Sequence, residues 1–381
     1  MKKLIVVVVA FFSVVLLAQP SGALNTPKSD VFMQGFYWNS TPGGIWWDSL
    51  ASLAPRLASA GFSGIWFPAP YKGAGGGFSM GYDPYDHYDF GEYFQKGSTE
   101  TRFGSRKELE RALDIFHGVG IEVYADAVMR HMMGGEDKLK YTCIPVNNGN
   151  PIVPDSAYLL FNYPNGSGRF KKDAMSFYPN SLNCFVDTRF TATDPLFRFG
   201  EWLDHNNTAV RDSLIQWGIY LRNVVGFDGF RIDAVKPIDP FFMAWWIKGV
   251  QATAGNGYIV AEHWSGVDEI KGWLNSVKTN GAGISMFDFP LRFSLKEMCN
   301  ATNGSFWMTN LDGAGLINNG VSSFDVATFV ENHDFDRVGY DGSIDSGHDP
   351  VLADKHLAYA YILFSEGRPT VFFKDYVDYG L

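Results

Sequence analysis

A chain of 381 residues, 46% of them apolar, can bury a large core, which excludes disorder as the main state. Its 41 Asp and Glu outnumber 31 Lys and Arg, and no block of basic residues occurs anywhere, which argues against nucleic acid or an anionic membrane as a partner. Three cysteines, Cys143, Cys184 and Cys299, cannot all pair internally and lack the CxxC spacing of a metal site.

Residues 1–23, MKKLIVVVVAFFSVVLLAQPSGA, combine two lysines, an apolar run and small residues at Ser21 and Ala23, the pattern of a secretory signal peptide. The alternative, an uncleaved anchor, is disfavoured because the run from Leu4 to Ala18 is short for a span of about 20 residues. Cleavage predicts a mature chain from Leu24 that is secreted or periplasmic, off the membrane, and at net charge −12 once Lys2 and Lys3 are gone. In such a compartment Cys143 and Cys184 can bridge, leaving Cys299 as a buried small hydrophobe.

Eight β-rich apolar runs follow, at 31–38, 64–70, 121–128, 229–235, 258–264, 283–289, 326–334 and 370–375. Amphipathic stretches separate them. In 105–120, Leu109, Ala112, Leu113 and Phe116 share a face, Ser105 suits the start and Gly118 or Gly120 the end; in 208–226, Val210, Leu214, Trp217 and Leu221 form a stripe. Strand and helix in alternation imply right-handed parallel crossovers, and eight such strands imply a closed (β/α)8 TIM barrel, with an open doubly wound sheet as the alternative. Residues 132–200, rich in Asn, Pro, Gly and Ser, read as a small irregular domain inserted after strand 3, dividing the barrel into 24–131 and 201–381. After the last run only a few residues remain, so an eighth helix is expected to be absent and apolar strand surface to be left uncovered.

Functional residues of such barrels sit at the C-terminal strand ends. The third run ends in Asp126, Arg130 and His131. The fourth carries Arg231 and Asp233, two apart and so on one face; the fifth ends at Glu262 and the seventh at His333 and Asp334. Carboxylates crowded on one rim push a pKa upward, and neighbouring strands about 4.8 Å apart can supply the pair, about 5 Å apart, that retaining glycosidic cleavage uses. The aromatic content of 16% suits stacking on sugar rings, although most such side chains fill a core.

The segments DAVMRH, GFRIDAVK, AEHW and FVENHD, on strands three, four, five and seven, resemble the four signature segments of the α-amylase family of glycoside hydrolases. QGFYW and SMGYDPYDHYDFGEYFQKGSTETRFGS also resemble bacterial and archaeal members. The resemblance runs from residue 31 to 381 and stops where the family's C-terminal β-sandwich domain would follow, so that domain is expected to be absent. It implies a secreted, monomeric, retaining hydrolase of internal α-1,4-glucosidic bonds in starch, glycogen or maltodextrin. Asp233 would be the nucleophile, Glu262 the acid/base and Asp334 the carboxylate holding the distorted ring. Arg231 would orient the nucleophile, His131 and His333 would bond sugar hydroxyls, Tyr82 would stack beneath the ring, and Lys236 and Trp264 would line the leaving side. Two alternatives stay open: a transglycosylase or exo-acting maltooligosaccharide enzyme, and a catalytically impaired starch-binding fragment.

Three positions depart from the family pattern. Pro237 stands where a histidine often follows Lys236. Arg130 stands where the family has an asparagine of the structural calcium site, and the place of an aspartate of that site falls near Trp202, with Asp204 close by as the alternative alignment. No cofactor is implied for the chemistry and no metal ligand is assigned. Because a guanidinium has donors only and calcium needs oxygen ligands, Arg130 is expected to fill the cation's place by pairing with Asp187 or Asp204; the alternative is that it points to solvent.

Overall fold

The computed structural model describes residues 30–147, 149–184, 199–302, 304–337, 343–344 and 347–377. The signal segment and Asp187 lie outside these residues. Eight strands, β1 (Val31–Gln34), β2 (Phe62–Phe67), β3 (Glu122–Ala127), β4 (Gly229–Ile232), β5 (Ile259–Ala261), β6 (Ser285–Phe287), β7 (Val326–Phe329) and β8 (Arg368–Phe372), pair in parallel and in sequence order, and β8 closes on β1. Each strand is buried on both faces, which is why its sequence is a continuous apolar run rather than an alternating one.

Helices α1 (Trp46–Ser59), α2 (Arg106–Gly118), α3 (Thr208–Tyr220), α4 (Pro240–Ala254), α5 (Val267–Thr279), α6 (Phe289–Asn300) and α7 (Lys355–Phe364) lie between strands. Their starts are written in local chemistry. Ser105 and Glu108 form a reciprocal capping box at α2. At α4, Asp239 accepts from the Phe241 N–H ahead of Pro240 in the first turn. The stripe Leu109, Ala112, Leu113 and Phe116 of α2 is fully buried, as its spacing requires. Among the described residues no helix is long and apolar enough to cross a membrane.

Between β3 and α3 the chain makes an excursion built of short pieces: Asp137–Lys140 pairs antiparallel with Ser156–Leu160, and Cys143 is bonded to Cys184. It leaves and returns at one place, because His131–Met132 pairs antiparallel with Glu201–Trp202. Gly200 permits this return: at φ +72° a side chain is strained, and a Cβ would lie 2.6 Å from His131 Cδ2.

The expectation of no helix and an uncovered surface after the last strand is corrected. A single turn, Phe373–Val377, follows β8, and Tyr376 packs edge-on against Phe62 at 5.2 Å beneath the Arg56 guanidinium. All five residues of β8 are buried.

Candidate active site

Arg231 organises the barrel's C-terminal rim. Its backbone lies opposite Asp126 of β3, and its side chain, 1% exposed, stacks over Trp66 with Cζ 4.6 Å from the ring centre. Nη1 donates to Asp126 Oδ1 at 2.7 Å and to Asp233 Oδ1 at 3.1 Å, while Nη2 donates to Glu262 Oε2. One guanidinium thus ties together carboxylates from three neighbouring strand ends. Glu262 Oε2 also accepts the Ala234 N–H at 3.1 Å. Ala234 holds φ +42°, a left-handed conformation costly for a residue with a Cβ; this turn aims its amide at Glu262.

The carboxyl groups differ in environment. Burial, with Asp233 and Asp334 nearby, outweighs the attraction of Arg231 and pushes Glu262 up to about 8. Asp126 is raised to about 6, again chiefly by burial. For Asp334 burial acts upward, yet neighbouring His333, Arg231 and Arg337 bring it below the usual carboxylate value. At neutral pH the site therefore holds a protonated Glu262 beside an ionised Asp334.

Aromatic rings form one wall. Tyr82 stacks on His333 at 5.1 Å, Trp38 lies parallel to both, and Arg337 sits 3.7 Å over Trp38 while reaching Asp334 Oδ1 at 3.4 Å. The Tyr82 hydroxyl donates to Asp126 Oδ2 at 2.6 Å. Gln34 of β1 bonds His333 Nδ1 at 2.8 Å, leaving Nε2 facing Asp334 Oδ2 at 3.5 Å. Burial lowers both His333 and His131 to about 4, so both rings are neutral at pH 7.

His131 departs from its expected task. Its Nε2 bonds the Tyr82 carbonyl at 2.8 Å and its Nδ1 accepts from Arg130 Nε at 3.2 Å, so in this arrangement neither nitrogen is left for a sugar hydroxyl. It braces the loop carrying Tyr82. On the other side, Lys236 pairs with Glu269 at 3.6 Å, and Trp264, 43% exposed, packs on Phe289 and Phe335. The geometry therefore brings Arg231, Asp233, Glu262, Asp334, His333 and Tyr82 into linked contacts, whereas Lys236 and Trp264 flank them. Gln34, Trp66, Ala234 and Arg337 join the site without having been singled out in the sequence. Asp126, noted as a strand end, had one signal: a charge set among the apolar residues of the strand's C-terminal half.

Arg130 is 3% exposed, which removes the solvent-facing alternative. Its Nη2 donates to the Phe199 carbonyl at 3.3 Å and its guanidinium lies 5.4 Å from the Trp202 ring. Of the two acids expected to pair with it, Asp187 lies outside the described residues. The other, Asp204, accepts instead from the side-chain amides of Asn180 and Asn183 at 2.7 and 2.9 Å. Arg130 and Trp202 thus meet in one contact, a cation on an aromatic face. A guanidinium and an indole offer no oxygen, so these two positions do not fit a calcium ion. Among the described residues no three His, Cys, Asp or Glu side chains converge as a metal site.

No protein-family model matches the chain. The cytoplasmic α-amylase of Escherichia coli is 30% identical over 91% of this chain and 74% of its own length. The α-amylase of Geobacillus stearothermophilus is 30% identical over 98% of this chain and 71% of its own. A glucan 1,4-alpha-maltohexaosidase from a Bacillus species is 31% identical over 94% and 72%. Among solved structures, a point variant of α-amylase I from Eisenia fetida in complex with maltohexaose superposes with a TM-score of 0.62 at 19% identity, covering 93% of this chain and 68% of that one. Signature segments, barrel and relatives agree: the chain belongs to the α-amylase family of glycoside hydrolases.

Proposed function

We propose that the chain hydrolyses internal α-1,4-glucosidic bonds of starch, glycogen or maltodextrin with retention of configuration. The carrying observation is the pair Asp233 and Glu262 on the two terminal nitrogens of Arg231, with Glu262 kept protonated. In the first step an Asp233 oxygen bonds to the anomeric carbon while the bond to the glycosidic oxygen breaks and Glu262 gives that oxygen its proton. In the second, Glu262 takes a proton from water, whose oxygen displaces Asp233. Asp334 and His333 Nε2 hold hydroxyls of the distorted ring, Tyr82 lies beneath it, and Lys236 and Trp264 contact the leaving side. Proton NMR of the first product formed from a maltooligosaccharide tests this: the α-anomer is expected, and initial β-anomer would sink the double displacement.

Because Glu262 must carry a proton to act as acid, kcat/KM should fall as pH rises through about 8. A midpoint near 5 would assign the limb to another group. The exo-acting alternative is favoured by one observation, the maltohexaosidase and maltotetraohydrolase names among the relatives. Rapid loss of iodine staining with mixed products supports the endo mode; a single product length from the first minutes supports the other. The impaired, binding-only alternative predicts no release of reducing sugar.

We infer further that the protein is a monomer and that it is exported; the Cys143–Cys184 bond supports export, since disulfides persist in oxidising compartments. The E. coli relative, by name, is cytoplasmic. N-terminal sequencing of the extracellular protein should begin near Leu24; an intact Met1 confined to cells would count against export. Arg130 on Trp202 is read as the built-in cation of the junction between barrel and excursion. A chelator should then move the thermal midpoint by no more than about 2 °C. A much larger drop, restored by calcium, would refute it.

A further inference from the structure

Gln34, Trp66, Arg231, Glu262, Glu331 and Thr370 are among the residues bounding a void of about 10 Å³ inside the barrel. Three of them carry a buried polar atom with no partner: Arg231 Nε, Glu331 Oε2 and Thr370 Oγ1. All three residues are at most 2% exposed. The rest of their polar atoms are already committed. Both terminal nitrogens of Arg231 hold carboxylates, and Glu331 Oε1 accepts from Arg292 Nη2 at 3.1 Å and from the Val351 N–H at 2.7 Å. Burying three such atoms unpaired is costly, and a void of roughly this volume, met by about three polar groups, suits a single water.

We propose that this void is a binding site for one water, which accepts from Arg231 Nε–H and hydrogen-bonds Glu331 Oε2 and the Thr370 hydroxyl. Resting on the reading of Asp233 and Glu262 as the reacting pair, this makes Glu331 and Thr370 positioning residues. The upper edge of the guanidinium is pulled by three carboxylates, and the water holds its third nitrogen, so its plane cannot tilt. Through that plane the separation of Asp233 and Glu262 is fixed. Glu331 is itself anchored by Arg292, so the chain of contacts runs from α6 to the catalytic acid.

Crystal structures of the wild type and of Thr370→Val, at a resolution that shows ordered solvent, test the site directly. Expected is a water within hydrogen-bond distance of all three atoms in the wild type, and its loss in the variant. A dry wild-type void would overturn the proposal whatever the reaction is. Kinetics on soluble starch form the second arm. Thr370→Val should lower kcat about tenfold, the scale of a sub-ångström misplacement, with little change in KM, and Thr370→Ser should restore it. Wild-type kcat in Thr370→Val would overturn the positioning role. Failure of the reaction reading shows elsewhere, as an active Asp233→Asn enzyme.

Discussion

Asp233→Asn should release reducing sugar from soluble starch some four to six orders of magnitude more slowly than the wild type, while still folding and still binding maltooligosaccharide. The substitution keeps shape and the contact with Arg231 Nη1, because the amide oxygen accepts as the carboxylate did. What it removes is the ability to form and carry the bond to the anomeric carbon, the step on which everything later depends. Glu262 stays in place on Nη2 and on the Ala234 amide, so the defect is confined to chemistry. Loss of only a few-fold would mean that Asp233 is not the nucleophile. Equal and negligible rates for both proteins would instead favour a chain that binds α-glucan without cleaving it.

Arg231→Met should cost about 3–5 kcal/mol of folding stability as well as activity, because it strands buried carboxylates whose shared counter-ion is gone. The loss depends on pH with a definite sign. Asp126 stands at about 6 and Glu262 at about 8 even with Arg231 attracting their charged forms, so its removal raises both further. A carboxyl whose folded pKa exceeds its unfolded value supports folding when protonated, and that support is lost as pH rises through the folded pKa. The deficit relative to wild type should therefore be smallest near pH 4 to 5 and largest near pH 8. Urea denaturation at both ends of that range checks it. An equal deficit at both would remove the carboxylates as its source.

The barrel was legible because each strand is buried on both sides and so appears as an unbroken apolar run. Strand ends were less legible. FVENHD reads as strand throughout, yet β7 stops at Phe329, and Glu331 to Asp334 turn away to build the site. The carboxylates could be chosen from spacing and from resemblance. Their shared holder could not: that one guanidinium reaches Asp126, Asp233 and Glu262 depends on the register between β3 and β4. Gln34 on His333 joins residues 299 apart in the chain, which no local pattern encodes. The bonds of His131 were not legible either, because a motif gives a side chain's neighbourhood but not which hydrogen bonds its nitrogens make. Arg130 does sit buried at the junction, but against an aromatic face, while Asp204 bonds the side-chain amides of Asn180 and Asn183 instead.

The excursion between β3 and α3 has a doorway of two residue pairs, His131 with Trp202 and Met132 with Glu201. Whatever is threaded beyond that hinge enters and exits a single strand spacing apart, so its length and content can change without shifting any barrel register. The arrangement makes the excursion an exchangeable cassette. The excursion can be rewritten by insertion or deletion, while Arg231 and the carboxyl groups it holds stay fixed to the strand ends.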